Sequence, residues 1–92
     1  PHPFSYHGGA VAGVAAATPN NGIGIAGVGY NSRYLPVKAI TDALNVFRFD
    51  AAVIYLADRG VQVINMSFGY AGNPDEYWED IVNYAIINKD VV

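Results

Sequence analysis

The sequence has no cysteine, so neither a disulfide framework nor a thiolate metal site is available to it. Basic residues are almost as scarce: five Lys and Arg in 92 residues, scattered at positions 33, 38, 48, 59 and 89. There is no basic stripe to neutralise phosphates, which argues against a nucleic-acid partner. Charge of either sign is missing from residues 1–32, and the other sixty residues carry all thirteen charged side chains. That uncharged stretch is no membrane span, because its longest helix-compatible small-residue run, Gly8–Ala17, is half the roughly twenty residues needed to cross a bilayer. Nor does it read as a signal peptide, since the basic start is absent. What the chain does have is apolar content: 52% hydrophobic residues and 14% charged, a composition that excludes disorder. A chain of this size buries only about 60 to 65% of its unfolded surface and is marginal alone, so we expect a piece of a larger domain.

Glycine is concentrated where charge is missing, seven of ten lying between Gly8 and Gly29, a pattern of backbone passing close to backbone. Gly8–Ala17 predicts a buried helix of small residues. Thr18–Gly24 (T-P-N-N-G-I-G) predicts a loop. Tyr34–Ile40 is strand-like, with Pro36 restricting it to an edge, a start or a bulge. Phe49, Ala52, Val53 and Leu56 follow helical spacing, with Asn45 as cap before them and Gly60 just past the end. Val61–Met66 predicts a strand buried on both faces. Asn73 as cap, Pro74 at the first position and Glu76 behind them predict another helix start, with Trp78, Ile81, Val82 and Ala85 as its apolar stripe. Asp90, Val91 and Val92 look like the opening of a further strand. The alternation predicts an α/β parallel sheet with helical crossovers.

Several motifs carry chemistry. Gly22-x-Gly24-x-x-Gly27, with Asp42 twenty residues after Gly22, has dinucleotide-loop spacing but fails on context: only Val28–Arg33 separate it from the next strand, too few for a crossover helix. His7 precedes the small-residue helix. A lone histidine there is a structural residue, a metal ligand, for which no second His, Cys or carboxylate stands at ligand spacing, or a general base. The last role needs a carboxylate to fix its tautomer, because a helix N-terminus disfavours the imidazolium. His2 has no partner at ligand spacing. The oxygens of Asn20-Asn21-Gly22-Ile23-Gly24 suit either a plain turn or a hard cation such as calcium. Asn65-Met66-Ser67-Phe68-Gly69 ends a strand where ligands of parallel sheets bind, so it is a candidate pocket wall. Ser67 lacks the G-x-S-x-G elbow of a nucleophile.

Taken together, His7-Gly8-Gly9-Ala10-Val11-Ala12-Gly13, Asn20–Val28, Leu35-Pro36-Val37-Lys38 and Val63–Gly69, in this order and spacing, resemble the subtilisin-like serine protease family (subtilases, peptidase S8). The resemblance implies a doubly wound, mostly parallel α/β sheet, of which residues 1–92 would be one partial peptidase domain. It implies peptide-bond hydrolysis by an Asp/His/Ser triad, with His7 as general base. Ser67, Phe68 and Gly69 would pair with an extended polypeptide substrate, and the stretch around Asp42 and Leu44 would form the opposite edge. Asn21, Ile23 and Ile25 match a loop that holds structural calcium in many relatives; the chemistry itself needs no cofactor. The expected partners are the substrate and the rest of the same peptidase domain, without nucleic acid or membrane, in an extracellular or cell-envelope setting. The family's catalytic Asp, oxyanion Asn and G-T-S-x-[AS] serine are not in these residues, so the segment alone is expected to be inactive. Gly9 departs from the family's Thr and Ala10 from a frequent second His; with Gly9 as its mark, the alternative is a non-catalytic subtilase-like binding or structural domain.

Overall fold

The computed structural model describes residues 6–41, 46–69 and 75–92, which fall in two units, Pro1–Pro36 and Val37–Val92. In the first unit, α1 (His7–Ala16) forms where the small-residue run predicts it. It carries three glycines and no side-chain cap at Tyr6, so its intrinsic propensity is poor, at about 1 kcal/mol per glycine relative to alanine. Its C-terminal end is held by tertiary hydrogen bonds instead. The N–H groups of Gly27, Val28 and Gly29 donate to the carbonyls of Ala17 (2.9 Å), Val14 (3.0 Å) and Ala15 (2.7 Å), acceptors that a helix end leaves without partners. The contact is so close that a Cβ on Gly27 would lie 2.3 Å from the Ala17 nitrogen, which explains glycine there. The predicted loop runs between these anchors. The expectation of a buried helix fails within this unit: no residue of α1 is buried, because nothing here covers its outer face.

In the second unit, β1 (Ile40–Thr41) pairs antiparallel with β2 (Val46–Phe47), and Arg48 N–H extends the ladder to Ala39 O at 2.8 Å. Helix α2 (Phe49–Asp58) follows at once, with Arg48 at the cap position; the proposed cap Asn45 lies outside the described residues. Gly60 ends α2 in the left-handed region (φ 72°), with Gly60 N–H on Ala57 O and Val61 N–H on Leu56 O, the paired bonds of a Schellman ending. Helix α3 (Glu76–Asn83) starts at Asp75, whose side chain accepts from Trp78 N–H at 3.1 Å. The cap is therefore Asp75; Asn73 and Pro74 lie outside the described residues. Asp caps as well as Asn does, so composition around a start does not fix its position to the residue. A π-helical turn, Tyr84–Asn88, continues α3.

The core is small: Val53 and Ala57 of α2 meet Ile81, Ala85 and Val91, with Val61, Ile64, Trp78 and Tyr84 packed around them. Val53, Ile81 and Ala85 belong to the apolar stripes read from the sequence; Ala57, the most buried residue of α2, does not.

The expected α/β architecture is corrected. Among the described residues there are three α-helices and no parallel sheet, and the only ladder is the two-residue antiparallel pair. Val61–Met66 forms no strand, and its long-range backbone bonds are Ile64 N–H to Val92 O (2.9 Å) and Val92 N–H to Gln62 O (3.0 Å). It is not buried on both faces, since Val63 is 67% exposed. A sheet needs neighbouring strands in register, and among the described residues only Val92 is hydrogen-bonded alongside that run, one residue rather than a strand.

Candidate functional site

His7 is the first residue of α1 and is exposed. The helix has no acidic residue in its first turn, and residues 1–36 contain no Asp or Glu at all. The carboxylate that a catalytic imidazole needs is thus absent from its own unit. Gly9, one residue beyond the exposed Gly8, is open: a Cβ there would meet nothing within 4 Å. No packing in this unit therefore requires glycine in place of threonine.

The proposed cation loop is equally exposed. Asn21 Oδ1 accepts from Ile23 N–H at 3.0 Å, an Asx turn, and Asn20, Gly22 and Gly24 all take positive φ. The donor set of Asn21 Oδ1 with the Ile23 and Ile25 carbonyls is oxygen throughout, which fits a hard cation, but it carries no charge and falls short of the six to eight oxygens calcium takes. Among the described residues, no group of three or more His, Cys, Asp or Glu gathers as a metal site.

In the second unit, Ser67, Phe68 and Gly69 lie in an exposed irregular segment. Asn65 and Ser67 exchange side-chain hydrogen bonds, Asn65 Nδ2 to Ser67 Oγ at 3.0 Å and Ser67 Oγ to Asn65 Oδ1 at 3.3 Å. Phe68 N–H turns back to Met66 O at 2.9 Å. That places the Phe68 donor inside the chain, and bends the segment at Ser67. Asp42 and Leu44, the suggested opposite edge, lie outside the described residues.

The structure adds residues that spacing did not suggest for this segment. The Phe68 ring stacks on Phe49 at 3.7 Å between centroids and 11° between planes. Phe49 in turn contacts Phe47 (5.5 Å) and Trp78 (6.1 Å), and Trp78 meets Tyr77 edge-on. Helical periodicity assigns Phe49 and Trp78 to core stripes. Trp78 does pack against the core, while the Phe49 ring also stacks on Phe68, and the signal that was available is the clustering of aromatics at 47, 49, 68, 77 and 78. At the rim, Asp50 accepts from Tyr77 Oη at 2.8 Å and from Arg48 Nε at 3.3 Å. The tyrosine hydroxyl first, and a backbone N–H next, hold the Asp50 carboxyl below its ordinary range.

With the geometry described, the chain can be compared with known proteins. The model of the subtilase family matches residues 1–91. The chain belongs to that family. A thermophilic serine proteinase of Bacillus sp. strain AK1 is 41% identical over 94 residues, covering all of this chain and 23% of its own length. An extracellular protease of Xanthomonas campestris pv. campestris is 31% identical over 93 residues, 89% of this chain and 16% of that protein. The cell wall-associated protease of Bacillus subtilis is 35% identical over 65 residues, 68% of this chain and 7% of its own. The chain thus spans less than a quarter of the length of these relatives. No solved structure matches it.

As a subtilase segment, the chain contains no G-T-S-x-[AS] run. Its one Asp-x-Gly, Asp58-Arg59-Gly60, is the end of α2, and Asp58 is engaged by Tyr84 Oη (2.6 Å) and Lys89 Nζ (3.1 Å). Those contacts make it a structural carboxylate joining α2 to the end of α3. No helix among the described residues is long and apolar enough to cross a membrane.

Proposed function

We propose that this chain is the part of a subtilisin-like serine endopeptidase that contributes the general base, His7, and one edge of the substrate groove, Ser67–Gly69. The observation that carries the reading is the family match across residues 1–91. The choice of His7 is supported by the resemblance of His7–Gly13 to the family's histidine motif and by its position as the first residue of α1. In this role the imidazole accepts the proton of a serine hydroxyl as that oxygen attacks the scissile carbonyl, then delivers it to the leaving amine. A helix end is a rigid mount for such a group, and the carboxylate that would steady the imidazolium must come from beyond residues 1–36. The exposed segment Ser67–Gly69 would take an extended polypeptide as an added strand, with the Phe68 N–H giving up its bond to Met66 O. Asp42 and Leu44 would contribute to the facing edge. Asn21, Ile23 and Ile25 would be the oxygen donors to a structural calcium, which would cross-link their loop and take no part in the chemistry. The names of the Xanthomonas and B. subtilis relatives support an extracellular or cell-wall setting.

The test is made in the full-length protein that carries this segment. His7→Ala is expected to lower kcat by several orders of magnitude on a peptide substrate, with the fold intact by circular dichroism. Retention of most of the rate would overturn the assignment and favour the non-catalytic domain whose mark is Gly9. The isolated 92 residues are expected to be inactive, and turnover of a peptide ester that disappears in the His7→Ala form would contradict this.

A further inference from the structure

The loop that follows α1 has a chemical property independent of any role of His7. Asn21 is followed by Gly22, both are exposed, and a Cβ on Gly22 would meet nothing within 4 Å. The side chain of Asn21 is folded forward over the Gly22 peptide, because Asn21 Oδ1 sits 3.0 Å from the Ile23 nitrogen. The ring closed by that bond contains both the Asn21 Cγ and the Gly22 nitrogen, the nucleophile that must reach it. Among the described residues no backbone hydrogen bond engages the Gly22 N–H. The Ile23 N–H meanwhile points at the oxygen that gains negative charge when Cγ is attacked, where a fixed donor lowers the barrier.

We propose that Asn21–Gly22 is a site of spontaneous deamidation through a cyclic imide. The Gly22 nitrogen, losing its proton to hydroxide, forms a bond to Asn21 Cγ; the Cγ–Nδ2 bond breaks and ammonia leaves. Water then opens the five-membered imide at either carbonyl, giving an aspartate or an isoaspartate at position 21. No oxidation state changes, and the only co-reactant is solvent. Glycine matters because the ring closure needs a backbone nitrogen unshielded by a neighbouring Cβ. The product places a carboxylate in a stretch, residues 1–32, that has no charge of its own, taking the net charge from −3 to −4. In the isoaspartyl form the backbone is rerouted through the side chain, which removes the Asx turn within the loop that joins α1 to its anchors at Gly27, Val28 and Gly29.

Ageing the purified protein at mildly alkaline pH and following intact mass, isoelectric point and peptide maps tests this directly. Conversion at Asn21 is expected to be roughly tenfold faster than at Asn31, an exposed asparagine followed by Ser32, because only Asn21 precedes a residue without a Cβ. In heavy-oxygen water each converted molecule should take up one labelled oxygen. Asn21→Gln, which retains the amide but disfavours the five-membered ring, should abolish the fast acidic shift. Conversion at Asn21 no faster than at Asn31, or an unchanged acidic shift in Asn21→Gln, would overturn the proposal.

Discussion

At the scale of single residues, Asp58 shows how an exposed group acquires a partner set that spacing does not reveal. The Tyr84 hydroxyl first, and Lys89 next, hold its carboxyl below the ordinary 3.8, while the same bonds to Asp58 raise Tyr84 above 10.0 and Lys89 above 10.5. A depressed carboxyl contributes stability that is present above its unfolded value and lost as pH falls through the folded one. A raised tyrosine or lysine contributes stability that is present below its unfolded value and lost as pH rises. The cluster therefore stabilises the fold on a plateau from about pH 4 to about pH 10, bounded by those ordinary values. Replacing Tyr84→Phe should lower the urea midpoint slightly on the plateau, and the difference from wild type should vanish in acid; an equal difference at pH 2 would refute the assignment. The tyrosine and Asp58 lie 26 positions apart, so no local pattern predicts their contact. Phe68 is similar: its motif was legible in the sequence, its stacking on Phe49 was not.

At the scale of elements, α1 and α3 are stabilised in opposite ways. Helix α3 has a local device, the Asp75 side chain on Trp78 N–H, and Asp75→Ala should cost about 1 kcal/mol by chemical denaturation. Helix α1 has none at its start and depends on the returning Gly27–Gly29 segment. Gly27→Ala should therefore melt α1, since its methyl would overlap the Ala16 and Ala17 backbone, whereas Gly9→Ala, in open space, should raise stability by about 0.5 to 1 kcal/mol. Helical circular dichroism of the two variants distinguishes the cases, and equal effects would contradict the capping account. The position of α1 was legible because small residues run unbroken from Gly8 to Ala17. Its exposure was not, because burial depends on what else is packed against it.

At the scale of the whole molecule, the second unit depends on five buried side chains, Val53, Ala57, Ile81, Ala85 and Val91. Truncating the buried side chain of α3, Ile81→Ala, should cost about 2 to 5 kcal/mol, a large share of the stability of any small domain, and loss of cooperative unfolding is the expected readout. Many large apolar side chains meanwhile stay exposed, among them Ile23, Val28, Val63 and Ile87. The sequence by itself determined which segments are helical, where α2 stops at Gly60, and the family to which the motifs belong. These follow from short-range periodicity, turn chemistry and motif spacing, all written within a few residues of one another. Only the tertiary structure decided that Gly27–Gly29 closes α1, that Phe49 stacks on Phe68, and that the run from Val61 joins no parallel sheet. Each of those depends on a partner distant in the chain or on a neighbour in register, and a one-dimensional pattern records neither.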